Sequence, residues 1–91
     1  MASMSKTIKI IYYVDVDDNT KGALIAFPSG KDLRDFDTIK QIGQALHNAN
    51  FGERIGISNS IAYDIAHNGS AEETFAMGNY EFGIEEVELF D

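Results

Sequence analysis

From Thr7 to Val16 the chain alternates. Ile8, Ile10, Tyr12, Val14 and Val16 fall on one side of an extended backbone, and Thr7, Lys9, Ile11, Tyr13 and Asp15 on the other. That is the period-two pattern of a β-strand, whose successive side chains point to opposite faces. The β-branched and aromatic residues along it suit a pleated surface, and Ile11 and Tyr13 make the second face partly apolar. Asp17-Asp18-Asn19-Thr20-Lys21-Gly22 is a turn cluster. Ala23 to Phe27 reads as the returning strand, ended by Pro28, which has no N–H to give to a ladder. A β-hairpin is predicted.

Ser29 to Asp35 is polar and reads as a loop. The period then changes. Ile39, Ile42, Ala45, Leu46 and Ala49 form one apolar stripe at helical spacing, which predicts a helix over 38–48 with Asp37 as N-cap and Asn50 and Gly52 closing it.

Residues 53–78 support two readings. In the helical one, which is preferred, Ser58-Asn59-Ser60 caps a helix whose stripe is Ile61, Ala62, Ile65 and Ala66, and Asn68-Gly69 stops it. Ser70 and Glu73 then have capping-box spacing for a second short helix ending at Gly78. In the other reading Ile61, Tyr63 and Ile65 alternate as a strand, and Asn68-Gly69 and Gly78-Asn79 are hairpin turns of a meander.

The C-terminal stretch is strand-like again. Tyr80, Phe82 and Ile84 share one parity, Val87 and Leu89 the other. The slip at Glu85-Glu86 predicts a β-bulge, with Gly83 as the bending point. The predicted fold class is α+β: a small antiparallel sheet made of the N-terminal hairpin and the C-terminal strand, one main amphipathic helix packed on it, and one or two short helices or a β-meander in 53–78. Its expected core is Tyr12, Val14, Ile25, Phe27, Ile39, Ile42, Leu46, Tyr80, Phe82 and Ile84. Ile11, Tyr13, Val87 and Leu89, on the opposite parities, predict a homodimer.

Ninety-one residues, 44% of them apolar, are enough for one domain. Residues 1–3 read as a start-site extension ahead of Met4, and 4–91 as a single acidic domain. The chain has no cysteine, which removes disulfides and thiolate metal sites and fits a reducing cytoplasm. No run approaches the roughly 18 apolar residues of a membrane span. Lys6 and Lys9 interrupt the only apolar stretch near the start, so no secretory signal is expected there.

Charge changes the picture most. Residues 1–54 balance seven basic against seven acidic groups. Residues 55–91 contain no Lys or Arg and carry Asp64, Glu72, Glu73, Glu81, Glu85, Glu86, Glu88 and Asp91, which accounts for the whole formal charge of −8. Such one-sided charge repels phosphate and steers basic partners.

Other chemistries find little support in the chain. Asp64 and His67 stand at helical spacing, and with Ser58, Ser60 or Ser70 they sketch a base–nucleophile system; this is the remote reading of a small hydrolase. His47, beside Leu46, is expected to face solvent. Asp15, Asp17, Asp18 and Asn19 resemble the start of a calcium loop, but Thr20 and Ala26 occupy the positions that need glycine and glutamate, so neither metal nor cofactor is expected. Gly56-Ile57-Ser58-Asn59-Ser60 with Ile65 resembles the turn and second helix of a helix-turn-helix unit. The connection from the preceding helix is too long for that unit, however, and Asn59–His67 holds Asp64 and no cation. Direct nucleic-acid binding, which rests on neutralising phosphates, is therefore not expected.

What remains is the eight-residue acidic set as a protein-binding surface. Spread along a strand at about 3.3 Å per residue, the carboxylates offer a rough phosphate-like array to a basic protein that binds DNA or RNA. In size and charge the chain is similar to the DNA-mimic inhibitors that phages encode against host proteins. The expected function is accordingly a non-enzymatic, cytoplasmic binding protein that inhibits a basic partner. The alternative is a small structural or assembly subunit whose acidity serves solubility.

Overall fold

The computed structural model describes residues 5–90, with side chains from 6 to 89. Four strands and two helices follow in the order β1 (Ser5–Asp15), β2 (Lys21–Pro28), α1 (Phe36–Asn48), α2 (Ile55–Asn68), β3 (Ser70–Phe75) and β4 (Gly78–Phe90). The strands form one antiparallel sheet in the order β2-β1-β4-β3. The fold is α+β, as the patterning predicts. Two hairpins, β1–β2 and β3–β4, meet at the central β1–β4 pair, and both helices cover one face of the sheet, where they share a single core with it.

Parity decides which face that is. In the β1–β4 register Ile11 pairs with Ile84, Tyr13 with Phe82 and Asp15 with Tyr80. Odd residues of β1 therefore share a face with even residues of β4. Phe82 and Ile11 are buried to 2% and 0% exposure, and Ile25 and Phe27 of β2 join them beside Ile11 and Lys9. Tyr12 and Val14 thus lie on the opposite face, which corrects the expected core. Grouping them with Phe82 breaks the register by one residue, and a one-residue slip moves a whole strand to the other face.

The bulge is also elsewhere. β1 and β4 pair without a shift from Ser5 to Asp15, so Glu85-Glu86 is regular strand. The irregularity falls between Ile11 and Tyr12 against β2, where Leu24 is the extra residue.

α1 starts one residue before the expected N-cap Asp37. Asp35 holds the N-cap position, and Thr38 Oγ1 donates to its carboxylate at 3.4 Å. α2 begins at Ile55, ahead of the Ser58-Asn59-Ser60 cap expected, and stops at Gly69 in the left-handed conformation (φ 82°), as expected. The second short helix does not form. Ser70–Phe75 is strand β3, so the meander reading gives the right element there and the helical reading the right one before it, but the turn into β4 is Ala76-Met77 and the expected turn pair Gly78-Asn79 already belongs to β4. The β-pairing offered by β4 outweighs a local capping pattern.

Phe51, in the α1–α2 loop, is the hub of the core. Its ring lies 5.1 Å from Tyr13, 5.5 Å from Phe75, 4.9 Å from Tyr80 and 5.1 Å from Phe82 between centroids. Leu33, in the loop read as polar, is also buried.

Candidate functional site

Antiparallel pairing places the β1–β2 and β3–β4 turns at the same end of the sheet. Val16 N–H donates to Asn79 O at 3.0 Å and ties the two turns together. Carboxylates gather at this end, from the β1–β2 turn itself and from the strands of the other hairpin. Asp15 Oδ1 accepts from Asp17 N–H at 2.9 Å, and Asp18 Oδ1 accepts from Thr20 N–H at 2.8 Å, the short-range bonds that let Asp nucleate a turn. From the other hairpin come Glu72, Glu73 and Glu81. Glu72 and Glu81 are directly opposite in the β3–β4 ladder, an arrangement of like charges that destabilises a sheet. With Val16, Thr74, Asn79 and Tyr80, these three glutamates line an open depression of about 410 Å³.

The acidic end thus gathers six carboxylates, three of which (Asp15, Asp17 and Asp18) the charge count had assigned to the balanced half of the chain. The signal that finds them is topological: two hairpins in one antiparallel sheet whose outer turns abut.

Hydrogen bonding from Thr20, first through its side chain and then its backbone, holds the Asp18 carboxyl below its ordinary range. Burial pushes the Tyr80 phenol upward, and the neighbouring Asp15 carboxylate pushes it the same way. Lys21 sits at the start of β2, but it is engaged. Its Nζ lies 3.4 Å from Glu85 Oε2 and 4.3 Å over the Tyr12 ring.

The remaining expected site residues do not form one ridge with these. Glu85 projects from the same face as Glu81, whereas Glu86 and Glu88 project from the helix-bearing face, where Glu86 stands opposite Lys9 and Glu88 opposite Thr7. Asp64 is exposed on α2, in a different layer. Asp91 lies outside the described residues.

Asp64 and His67 share no hydrogen bond among the described residues. The His67 ring instead stacks on Tyr63, with centroids 4.0 Å apart. His47 does not simply face solvent: it is half-buried, and its Nδ1 lies 3.0 Å from Gly52 O.

The face of the sheet away from the helices holds Val87 and Leu89 of the set expected for a second subunit, but a different set from β1. It carries Ile8, Ile10, Tyr12 and Val14 from β1 beside Val87 and Leu89 from β4. Ile11 and Tyr13, expected to serve a second subunit, are instead inside the core layer. Tyr12 lies flat across the chain at Gly83, where a Cβ would sit 2.6 Å from its Oη; glycine leaves the space that the ring fills. On the helix side, Arg34, Phe36, Ile39, Lys40, Asn59, Tyr63 and His67 line a mostly apolar concavity of about 450 Å³. No helix among the described residues is long and apolar enough to cross a membrane. Comparison with protein-family models, with curated proteins and with solved structures gives no match.

Proposed function

We propose that the protein is a non-enzymatic binding module that presents its acidic end to a basic, nucleic-acid-binding protein and blocks it, the carboxylates standing where phosphates would. The observation that carries this reading is the opposed pair Glu72–Glu81 on the hairpin that is tied to the acidic β1–β2 turn. Placing like charges face to face costs stability. Solubility alone is served as well by carboxylates scattered apart. Concentrated negative potential at one end draws a basic surface in and speeds its encounter.

The test is competition. Glu72, Glu73 and Glu81 are replaced together by Gln, and the chain's binding to a basic DNA-binding protein is measured against duplex DNA at low and high salt. The parent displaces DNA and loses affinity as salt screens the contact over about 8–10 Å. The triple variant binds at least tenfold more weakly, about 1.4 kcal/mol, while Glu86→Gln with Glu88→Gln has the smaller effect. Equal binding by parent and triple variant at low salt overturns the reading. The second reading, an assembly subunit, draws on the apolar free face of the sheet, and it moves ahead if the acidic end proves inert.

A further inference from the structure

We propose that the free face of the sheet is a self-association surface, and that two copies pack sheet to sheet with their acidic ends pointing in opposite directions. The surface is built from Ile8, Ile10, Tyr12 and Val14 on β1 and Val87 and Leu89 on β4, the two central strands. Both helices lie on the other side, so neither helix covers these residues, and the Lys21 side chain lies over Tyr12. β1, with Ile8, Ile10, Tyr12 and Val14 on this face and Ile11 and Tyr13 on the other, is a central strand apolar on both faces, the pattern of a strand with cover on both sides.

Area points to a second copy. About 40 residues lie in strands, and each covers about 16 Å² of sheet, the product of its rise and the strand spacing. One face therefore offers about 600 Å², and a pair of faces buries about 1,200 Å², the lower bound of a standard stable interface. Sheets packed this way sit about 10 Å apart, with their strands rotated by about 30°.

Charge selects both the occupant and its orientation. Reaching in from the edge strand β2, Lys21 pairs with Glu85 and rests over Tyr12. The middle of the surface therefore offers no unpaired charge to a charged foreign partner and suits an apolar copy of itself. The ends differ. Glu72 and Glu81 occupy one end of this face, and Lys6, opposite Leu89, occupies the other. A two-fold axis lying along the strands stacks acidic end on acidic end. An axis across the strands lays Ile10 near Tyr12 of the other copy, brings each Lys6 toward the other copy's acidic turn, and sends the two acidic ends to opposite poles.

The experiment measures mass in solution by sedimentation and light scattering. The parent sediments at twice 10.1 kDa at concentrations on the order of tens of micromolar, and a 10.1 kDa particle at about 100 µM overturns the proposal. Ile10→Lys gives a monomer that keeps the parent's helical circular dichroism. Should that lysine prevent folding, Val87→Lys reads the same surface from the neighbouring strand. Phe36→Lys changes a helix-side residue that is 73% exposed, and it leaves the dimer intact. A dimer broken by Phe36→Lys and spared by Ile10→Lys and Val87→Lys overturns the assignment to this face. Lys6→Glu weakens the dimer about tenfold at low salt, and an unchanged dimer overturns the opposed orientation. None of these readouts involves the basic partner, so failure here and failure of the acidic-end reading are separable.

Discussion

Replacing Ser58 by Ala removes one hydrogen bond and almost no volume, so its cost is a direct measure of how the α1–α2 loop is held. Ser58 is fully buried in the first turns of α2, and its Oγ donates to the Phe51 carbonyl at 2.8 Å. Phe51 is itself 3% exposed at the hub of the aromatic core. With the hydroxyl gone, a buried carbonyl loses its donor, which costs about 1–3 kcal/mol. Alanine also favours a helix over serine by up to about 0.5 kcal/mol, a gain that offsets part of the loss. Ser60→Ala, on an exposed position two residues further along the same helix, contains only that gain. The difference between the two variants therefore isolates the bond at about 1–3 kcal/mol. A chain of this size has about 5–14 kcal/mol in all, and each kcal/mol shifts the melting temperature by about 4–8 °C. Urea unfolding of both variants at one protein concentration reads the difference directly, because the midpoint moves while the slope stays fixed. A Ser58→Ala variant within 0.5 kcal/mol of Ser60→Ala, about the noise of surface changes, refutes the claim that this hydroxyl holds the loop.

Gly43 and Gly56 should respond oppositely to alanine in thermal melts. A Cβ on Gly43 meets the Asn59 backbone Cα at 3.1 Å across the α1–α2 contact, so Gly43→Ala destabilises by about 1–2 kcal/mol as the helices part, whereas Gly56, with open space around it, gains the helix preference of alanine. Stability against pH carries the Tyr80 signature. A phenol whose folded-state affinity for its proton is raised contributes stability that is complete below its ordinary value near 10 and is lost as pH climbs through the higher folded value. Tyr80→Phe flattens this alkaline loss in denaturant titrations between pH 9 and about 12. Asp18 has the opposite sign: its lowered carboxyl contributes above the ordinary carboxylate range and ceases to contribute as pH falls through the folded value, so Asp18→Asn trims the acid limb alone.

Local periodicity identified β1, β2, α1 and β4 because each has a long apolar repeat of its own. What it left open was relational. Ile8, Ile10, Tyr12, Val14 and Val16 outnumber Ile11 and Tyr13 on β1, yet the smaller set faces the helices, since the register with β4 places it beside Phe82 and Ile84. A residue count on one strand cannot see its partner's parity. Ser70 and Glu73 have the spacing of a helix cap, but the free edge of β4 claims that segment as strand. Phe51 and Leu33 sit in stretches without any period, and only the assembled core shows that they fill it. The acidic set was legible as composition. Its division was not: Glu81 and Glu85 stand on one face, Glu86 and Glu88 on the other, and Asp15, Asp17 and Asp18 arrive from a distant turn to complete the cluster.

The two outer strands end the sheet in different ways, and the difference bears on how concentrated this protein can become. An unpaired strand edge is a template on which another chain adds a rung. On β2 the ladder is interrupted by the extra residue Leu24 and terminated by Pro28, so an incoming strand finds neither regular spacing nor a donor at its end. β3 has no such irregularity in its pairing with β4. It is six residues long, and Glu72 and Glu73 sit at its middle. Any strand laid along that edge in register with a copy of itself would stack carboxylate on carboxylate. The acidity of β3 thus acts as a barrier to fibrous growth at the one edge that geometry leaves open, whatever else binds there.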